Sequence, residues 1–160
     1  MAPLTFSALI AADPVLFPRF ERNEGLIAMT MRRRFQWKDM DEARAYFEPH
    51  QFFSRWDSRV LQLYMKHGIQ NDGGLVLKCR PVNEAAVYAG SFHASPHTKE
   101  NLWRIQCPTA FLTGEKSEIA APAYIQDAIK GISDCRHTVM PKAGHLLLLE
   151  NPDGTADSYA

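Results

Sequence analysis

Two short apolar runs separated by one amphipathic segment restrict the fold of this chain more than any other feature. Cys107 to Thr113 has the pattern of a buried strand and stops at Gly114, and Arg136 to Met140 is a second such run. Between them, Ala120 to Ile129 has the periodicity of an amphipathic helix. A helix between two strands carries the chain back across the sheet, so the strands it joins are parallel neighbours. The sequence therefore predicts an α/β fold.

A further strand is expected near the start of the chain. Thr5 to Ala12 is apolar and closes on Asp13-Pro14, a pair that is typical of a turn. The sequence thus predicts parallel strands near residues 6–12, 108–113 and 136–140, with a mainly helical excursion between the first two.

The excursion, from about Phe20 to Trp103, is rich in aromatic residues and in helix signals. Asp39 has the position of an N-cap, and Glu42 follows three residues later as in a capping box. A second helix is expected to open at Ser54 and to end at Gly68. Its predicted apolar stripe consists of Trp56, Val60, Leu63, Tyr64 and His67. A turn is expected over residues 71–74, and shorter helices over 81–88 and 95–103.

Charge and composition argue against several classes of partner. Lys plus Arg equals Asp plus Glu at 18 each, so the chain lacks the basic excess that nucleic acids and anionic membranes attract. We therefore expect no nucleic-acid partner. We also expect no membrane span, because no apolar run is long enough to cross a bilayer. The 3 cysteines are widely spaced, which favours reduced thiols in an intracellular compartment.

The order of these elements resembles the second half of the α/β-hydrolase fold. The most specific part of the resemblance is Pro141-Lys142-Ala143-Gly144-His145, followed by Leu149-Glu150-Asn151-Pro152. The resemblance implies strands six, seven and eight of that fold, with a helical cap inserted after strand six. The implied domains are residues 1–19 as the first core strand and its loop, 20–104 as the cap, and 105–160 as the remaining core.

The cap sequence is similar to that of a fungal subgroup of this family. The similarity lies in Trp37, Asp41-Glu42-Ala43, the segment from Phe53 to Val60, and the segment from Leu75 to Cys79. Members of that subgroup are peroxisomal hydrolases of secondary-metabolite and toxin pathways, including acyl-CoA hydrolases. The resemblance implies an acyl ester or acyl-CoA thioester as substrate, and the peroxisome as compartment. The cytoplasm is the alternative, because Ser158-Tyr159-Ala160 is not a Ser-Lys-Leu-type address.

The resemblance also implies catalytic roles for individual residues. His145, in the glycine-flanked loop after the last strand, matches the general base of a catalytic triad. Many family members carry the triad acid in a turn after strand seven, where this chain has Ser117 at the usual position. Others carry it after strand six, where this chain has Asp13. We therefore expect Asp13 as the acid, with Glu118 as the alternative.

The third member of a triad, the nucleophile, has no counterpart in the sequence. A serine elbow needs Gly-x-Ser-x-Gly before a helix, and the nearest string, from Gly131 to Cys135, precedes a strand. We therefore expect a fragment or truncated form that is inactive alone. The alternative is a catalytically dead remnant that binds a lipid or acts as an interaction module, with self-association through an exposed strand edge.

Three other features have a functional and a structural interpretation. Arg32-Arg33-Arg34 could contact acyl-CoA phosphates, but a solvated face is the simpler interpretation. The aromatic set of Phe47, Phe52, Phe53, Trp56 and Tyr64 could line an acyl pocket or form the core of the cap. His93 and His97 have the spacing of a metal pair, but Pro96 interrupts them and no third ligand is evident, so we expect neither a metal nor a cofactor.

Overall fold

The computed structural model describes residues 6–16, 24–91 and 98–158. The chain divides into two compact units. The first, here called the sheet unit, comprises Met1–Arg19 and Ser95–Ala160, and the second, the helical unit, comprises Phe20–Ala94. The short 3-10 helix Lys99–Arg104, which the sequence analysis included in the cap, belongs to the sheet unit.

The sheet unit is built on three parallel strands in the order β1-β5-β6, as the sequence predicts. These strands are β1 (Leu9–Ala12), β5 (Thr109–Gly114) and β6 (Cys135–Met140). The helix α5 (Pro122–Ala128) and the turn Ile129–Gly131 connect β5 to β6. The expected crossover is therefore confirmed, and the carboxyl ends of all three strands lie at one edge of the sheet.

The side chains of the central strand β5 alternate between the two faces of the sheet, and both faces are buried. Phe111 packs into one cluster with Ile125 and Ile129 of the crossover. Leu112 points to the opposite face and packs against Met140 and Leu147. The second face is covered by two short helices, α6 (Leu147–Glu150) and α7 (Pro152–Asp157).

The described part of the helical unit, residues 24–91, contains four helices and a small antiparallel sheet. The helices are α1 (Glu24–Met31), α2 (Met40–Phe47), α3 (Ser58–Gly68) and α4 (Pro81–Ser91), and a 3-10 turn spans Phe53–Arg55. The strands β2 (Gln36–Trp37), β3 (Ile69–Asn71) and β4 (Leu75–Leu77) form a sheet in the order β2-β4-β3. The sequence predicts the turn between β3 and β4 but none of these strands, because two or three residues are too few to show an alternating pattern.

The capping box before α2 forms with a shift of one residue. The Asp39 carboxylate accepts a hydrogen bond from the N–H of Glu42 at 2.9 Å, as predicted. In return, Glu42 accepts one from the N–H of Lys38 at 2.6 Å, one residue before the N-cap. That hydrogen bond and the guanidinium of Arg34 hold the pKa of Glu42 below its ordinary value.

The predicted start of α3 is wrong by four positions, and its predicted apolar stripe is right only in part, since Trp56 and Tyr64 do pack against the core. The helix begins at Ser58 because Asp57 caps it, its carboxylate accepting from the N–H of Arg59 at 2.8 Å. The residues before Asp57 form the 3-10 turn instead. The buried side of α3 is formed by Leu61 and Met65, whereas Leu63, which the predicted stripe included, is exposed.

The core of the helical unit is largely aromatic. Trp37, Tyr46, Phe47, Phe53 and Tyr64 form tilted and edge-to-face contacts with ring centroids 4.9 to 5.9 Å apart. Such pairs contribute roughly 0.5–1.5 kcal/mol each beyond the burial of apolar area. Within the described ranges, none of the helices is long and apolar enough to cross a membrane.

Candidate active site

Asp13 directly follows β1 and ends its pairing with β5. Its N–H donates to the carbonyl of Leu112 at 2.7 Å, which extends the ladder by one residue. Its φ is +47°, in the left-handed region that aspartate tolerates better than most residues. Pro14 follows and has no N–H to donate. The turn leaves the Asp13 side chain buried at the carboxyl edge of the sheet.

The carboxylate of Asp13 accepts hydrogen bonds from three separate segments. Its Oδ1 accepts from the N–H of Gly114 at 2.8 Å. Its Oδ2 accepts from the hydroxyl of Ser117 at 2.5 Å and lies 2.6 Å from Nδ1 of His145. A buried carboxylate needs its lone pairs satisfied, and these contacts satisfy them. The three contacts fix both the position and the plane of the group.

His145 is held at one ring nitrogen and open at the other. An ionised carboxylate can only accept, so the contact with Asp13 places the ring proton on Nδ1 and leaves the lone pair on Nε2. The His145 side chain is 39% exposed, and within the described residues Nε2 has no hydrogen-bond partner. An imidazole arranged in this way can accept a proton at Nε2 while the carboxylate stabilises the resulting cation.

Two carboxylates hold the backbone of the histidine loop, residues 141–145. Glu115 accepts from the N–H of Lys142 at 2.7 Å, and Glu150 accepts from the N–H of Gly144 at 2.7 Å. Lys142 itself has a φ of +63°, which the first of these hydrogen bonds helps to maintain. Neither contact can be predicted from the sequence, because the N–H that a carboxylate contacts depends on how the loop folds.

Gly114 allows the histidine loop to approach the end of β5. A Cβ atom at this position would lie 2.3 Å from the carbonyl oxygen of Gly144 and 2.6 Å from that of Ala143. Neither backbone oxygen can move without moving the loop. Glycine is therefore required here for close approach rather than for an unusual dihedral angle.

Of the two candidate acids, the structure brings Asp13 and not Glu118 to the imidazole. Glu118 is exposed, and no hydrogen bond joins it to His145 in the described part of the chain. Ser117, which stands at the position where the family resemblance would usually imply the acid, is buried and contacts Asp13 instead. The turn after β5 thus contributes Ser117 as a hydrogen-bond donor to Asp13, and not a second acid to His145.

The other histidines that the structure describes lie outside this network. Nε2 of His137 lies 2.9 Å from the hydroxyl of Thr113, and burial lowers the pKa of His137. His93 and His97 lie outside the described residues. Among the residues that the structure does describe, no group of three or more His, Cys, Asp and Glu is placed to hold a metal ion.

The three consecutive arginines are not equivalent. Arg33 forms an ion pair with Glu84 of α4, and Arg34 forms one with Glu42 at 2.5 Å. Arg32 is exposed. Two of the three side chains are therefore engaged within the helical unit, which agrees with a structural role better than with an open phosphate site.

The aromatic set divides between core and cavity. The side chains of Phe52 and Phe53 line a cavity of about 310 Å³ inside the helical unit, together with Met29 and Tyr88. Phe53 also belongs to the core cluster, as does Phe47, which is only 1% exposed and does not line the cavity. The cavity is mainly apolar, so a role in an acyl pocket is compatible with Phe52 and Phe53.

Comparison with known proteins assigns the family. No protein-family model matches the chain. The abhydrolase domain-containing protein AKT2 of Alternaria alternata is 38% identical over 97% of this chain, and the match covers 72% of AKT2. The chain belongs to the α/β-hydrolase family. A second relative from the same organism, abhydrolase domain-containing protein ACTT2-1, is 24% identical over the same shares.

Solved α/β-hydrolases have the same fold. The peroxisomal α/β-hydrolase Lpx1 of Saccharomyces cerevisiae superposes with a TM-score of 0.83 at 20% identity, over 98% of this chain. The thioesterase domain from the curacin biosynthetic pathway gives a TM-score of 0.70 at 17% identity, also over 98% of the chain. The chain spans 46% of the first structure and 58% of the second. It therefore has a partial α/β-hydrolase fold, with strands six to eight of that fold as β1, β5 and β6.

Proposed function

We propose that this chain carries the acid and the general base of a serine hydrolase that acts on acyl esters or acyl-CoA thioesters. The observation that supports the proposal best is the 2.6 Å contact between Asp13 Oδ2 and Nδ1 of His145. The His145 side chain is exposed, and its Nε2 has no hydrogen-bond partner among the described residues. This is the arrangement that a serine, histidine and aspartate triad needs at its last two members.

In the proposed mechanism, Nε2 of His145 accepts the proton of a serine hydroxyl while the serine oxygen attacks the acyl carbonyl. The proton then passes to the leaving alcohol or thiol as its bond to the acyl carbon breaks. A water molecule reverses the sequence and releases the acid. Asp13 stays ionised throughout and stabilises the imidazolium.

The serine itself is assigned to a segment outside these 160 residues, because the sequence contains no Gly-x-Ser-x-Gly. The oxyanion donors are assigned there as well. The 160-residue chain should then show no turnover alone. Labelling of the chain by a fluorophosphonate probe, lost on replacing one serine, would contradict this assignment.

The test of the two site residues uses a chimera in which this chain is joined to the part of AKT2 that it does not align with. Asp13→Asn keeps the shape and the left-handed backbone but removes the charge. We expect turnover of an acyl ester to fall by on the order of 10⁴-fold, as for other triad acids. Glu118→Gln is the matched control and should leave turnover within about twofold. The opposite ranking of the two variants would move the acid to Glu118.

The acyl part of the proposal is supported by the cavity of the helical unit, which lies in the range of small ligand sites at about 310 Å³. With the chimera, nitrophenyl esters of two to sixteen carbons separate the possibilities. A preference for medium chains that is lost in Phe52→Ala supports an acyl site, since Phe52 lines the cavity and is 53% exposed. Equal turnover of all chain lengths would contradict it.

The pathway and compartment belong to the same proposal. A secondary-metabolite or toxin pathway is supported by the similarity of the helical unit to the fungal subgroup. A peroxisomal location is supported by the likeness to Lpx1, a peroxisomal α/β-hydrolase. Fluorescence microscopy of a fusion with a free C-terminus tests the compartment. A diffuse cytoplasmic signal would contradict the peroxisome.

A second candidate is a catalytically dead module that binds a lipid. It is favoured by the same cavity, which needs no nucleophile to bind a ligand. Titration of the isolated chain with a fluorescent fatty acid, together with the turnover of the chimera, separates the two. Binding without any turnover in the chimera would favour the module.

A further inference from the structure

Ser117 is the side chain of the site that the proposed mechanism leaves without a role. It is buried in the turn after β5, and its hydroxyl lies 2.5 Å from Oδ2 of Asp13. The Oγ of Ser117 also accepts a hydrogen bond from the N–H of Ala120 at 2.9 Å. Because that N–H occupies the acceptor side, the hydroxyl proton is available to Asp13, and an ionised carboxylate can take it only as acceptor. The direction of both hydrogen bonds is thereby determined.

The oxygen that Ser117 contacts is the one that contacts His145. Oδ1 is fixed separately by the N–H of Gly114, so without Ser117 the carboxylate would have a single backbone donor and the imidazole. The plane of the group would then follow the movement of the ring. With Ser117, the turn after β5 fixes Oδ2 directly, and the ring docks on an oxygen that is already in place. Hydrogen bonds to charged groups are stronger than neutral ones, so the loss of this one should be measurable.

We propose that Ser117 is a positioning residue, whose hydroxyl holds the Asp13 carboxylate in the plane that keeps His145 in a single tautomer and orientation. The catalytic use of this geometry rests on the proposed function. The geometry itself does not, and it can be measured in the 160-residue chain without turnover.

The experiment is NMR of the ring nitrogens and of the Nδ1 proton of His145, with assignment by His145→Gln. In the unaltered chain we expect a downfield Nδ1–H signal that exchanges slowly with water, and ¹⁵N shifts of the Nδ1–H tautomer. In Ser117→Ala the signal should exchange about tenfold faster with water, the loss expected for a hydrogen bond to a charged group. In Ser117→Thr, which keeps the hydroxyl, the slow exchange should return.

Two controls separate this proposal from others. Ser133→Ala removes an exposed serine outside the site and should leave the signal unchanged. Circular dichroism of each variant checks that the fold is retained, and Ser117→Thr keeps the test open if Ser117→Ala does not fold. Equal exchange rates in Ser117→Ala and the unaltered chain would overturn the positioning role and leave the proposed function intact. Absence of the downfield signal from the unaltered chain would count against both the positioning role and the proposed function. A signal that is lost in Asp13→Asn but unchanged in Ser117→Ala would count only against the positioning role of Ser117.

Discussion

The two units of this chain achieve order in different ways. In the sheet unit, polar groups at the strand ends are fixed by buried hydrogen bonds and by one close backbone approach, at Asp13 and Gly114. In the helical unit, aromatic rings fill the interior, and most of the ion pairs lie at the surface. The strand ends of the sheet unit therefore depend on the positions of particular atoms, and the interior of the helical unit depends on the volume of its rings. Substitutions at these two places should reveal the difference.

The largest loss of stability is expected from the aromatic core. Phe47 is almost fully buried and contacts four other rings, so Phe47→Ala should lower the free energy of unfolding by about 3–5 kcal/mol. Phe52, which is 53% exposed, provides the matched control, and its replacement by alanine should cost far less. Urea denaturation followed by tryptophan fluorescence measures both. Similar losses in the two variants would mean that ring volume does not determine the stability of this unit.

A pair of glycines tests the sheet unit against the helical unit. Gly114→Ala should destabilise by about 1–3 kcal/mol and disturb the histidine loop, because its Cβ would meet backbone oxygens. Gly90 of α4 has no atom within 4 Å of the corresponding point. Gly90→Ala should therefore be neutral or stabilise by up to about 1 kcal/mol, through helix propensity. Thermal unfolding of both variants gives the comparison, and a harmless Gly114→Ala would refute the close approach.

The edge of the sheet should be the site of self-association, if the chain self-associates. In the described residues, β1 pairs only with β5, and Ile10 on β1 is 53% exposed. A charge on an edge strand opposes the addition of another strand. Ile10→Lys should thus shift any concentration-dependent dimer seen by sedimentation velocity towards monomer, whereas Leu63→Lys on the exposed side of α3 should not. The same dimer in both variants would exclude this edge.

The smallest expected effects are those of pH, and they have opposite signs in the two units. Burial lowers the pKa of His137 in the sheet unit, because the folded protein favours the neutral ring. The contribution of His137 to the stability of the fold is therefore present above the ordinary histidine pKa of about 6.5 and is lost as the pH falls. Burial raises the pKa of Tyr64 in the helical unit, and that contribution is present below about pH 10 and is lost as the pH rises.

His137→Asn should therefore flatten the acid side of the stability curve, and Tyr64→Phe its alkaline side. Denaturation at a series of pH values measures both sides. An acid side that His137→Asn does not change would show that another group titrates there.

The sequence predicts the sheet unit well because its signals are local. Each strand of that unit is several residues long, and one helix joins β5 to β6. β1 is followed by Asp13-Pro14, β5 ends at Gly114, and β6 is followed by Pro141. Position brings His145, in the loop after β6, to the same edge of the sheet as Asp13 and Glu118, and the family resemblance favours Asp13 as its partner. The contact of Ser117 with Asp13 does not follow, because it depends on side-chain rotamers in a turn.

The helical unit shows the limits of the same reasoning. The N-cap at Asp39 is predicted because its partner lies three residues away, but the start of α3 is not, since Ser54 and Asp57 are both plausible caps. The predicted apolar stripe includes the exposed Leu63 and omits the buried Leu61 and Met65. The strands β2 and β4 are joined by contacts between residues far apart in sequence, which no local pattern contains.

The left-handed backbone of Asp13 restricts how this site can change during evolution. Few residues accept its φ of +47°, and asparagine and glycine are the main ones besides aspartate. A single nucleotide change converts an aspartate codon into an asparagine codon. That change would keep the turn, the strand end and the fold while removing the charge next to His145. Among natural variants of this sequence, an asparagine at position 13 would therefore indicate a lineage in which selection for hydrolysis has ended while selection for a folded protein continues.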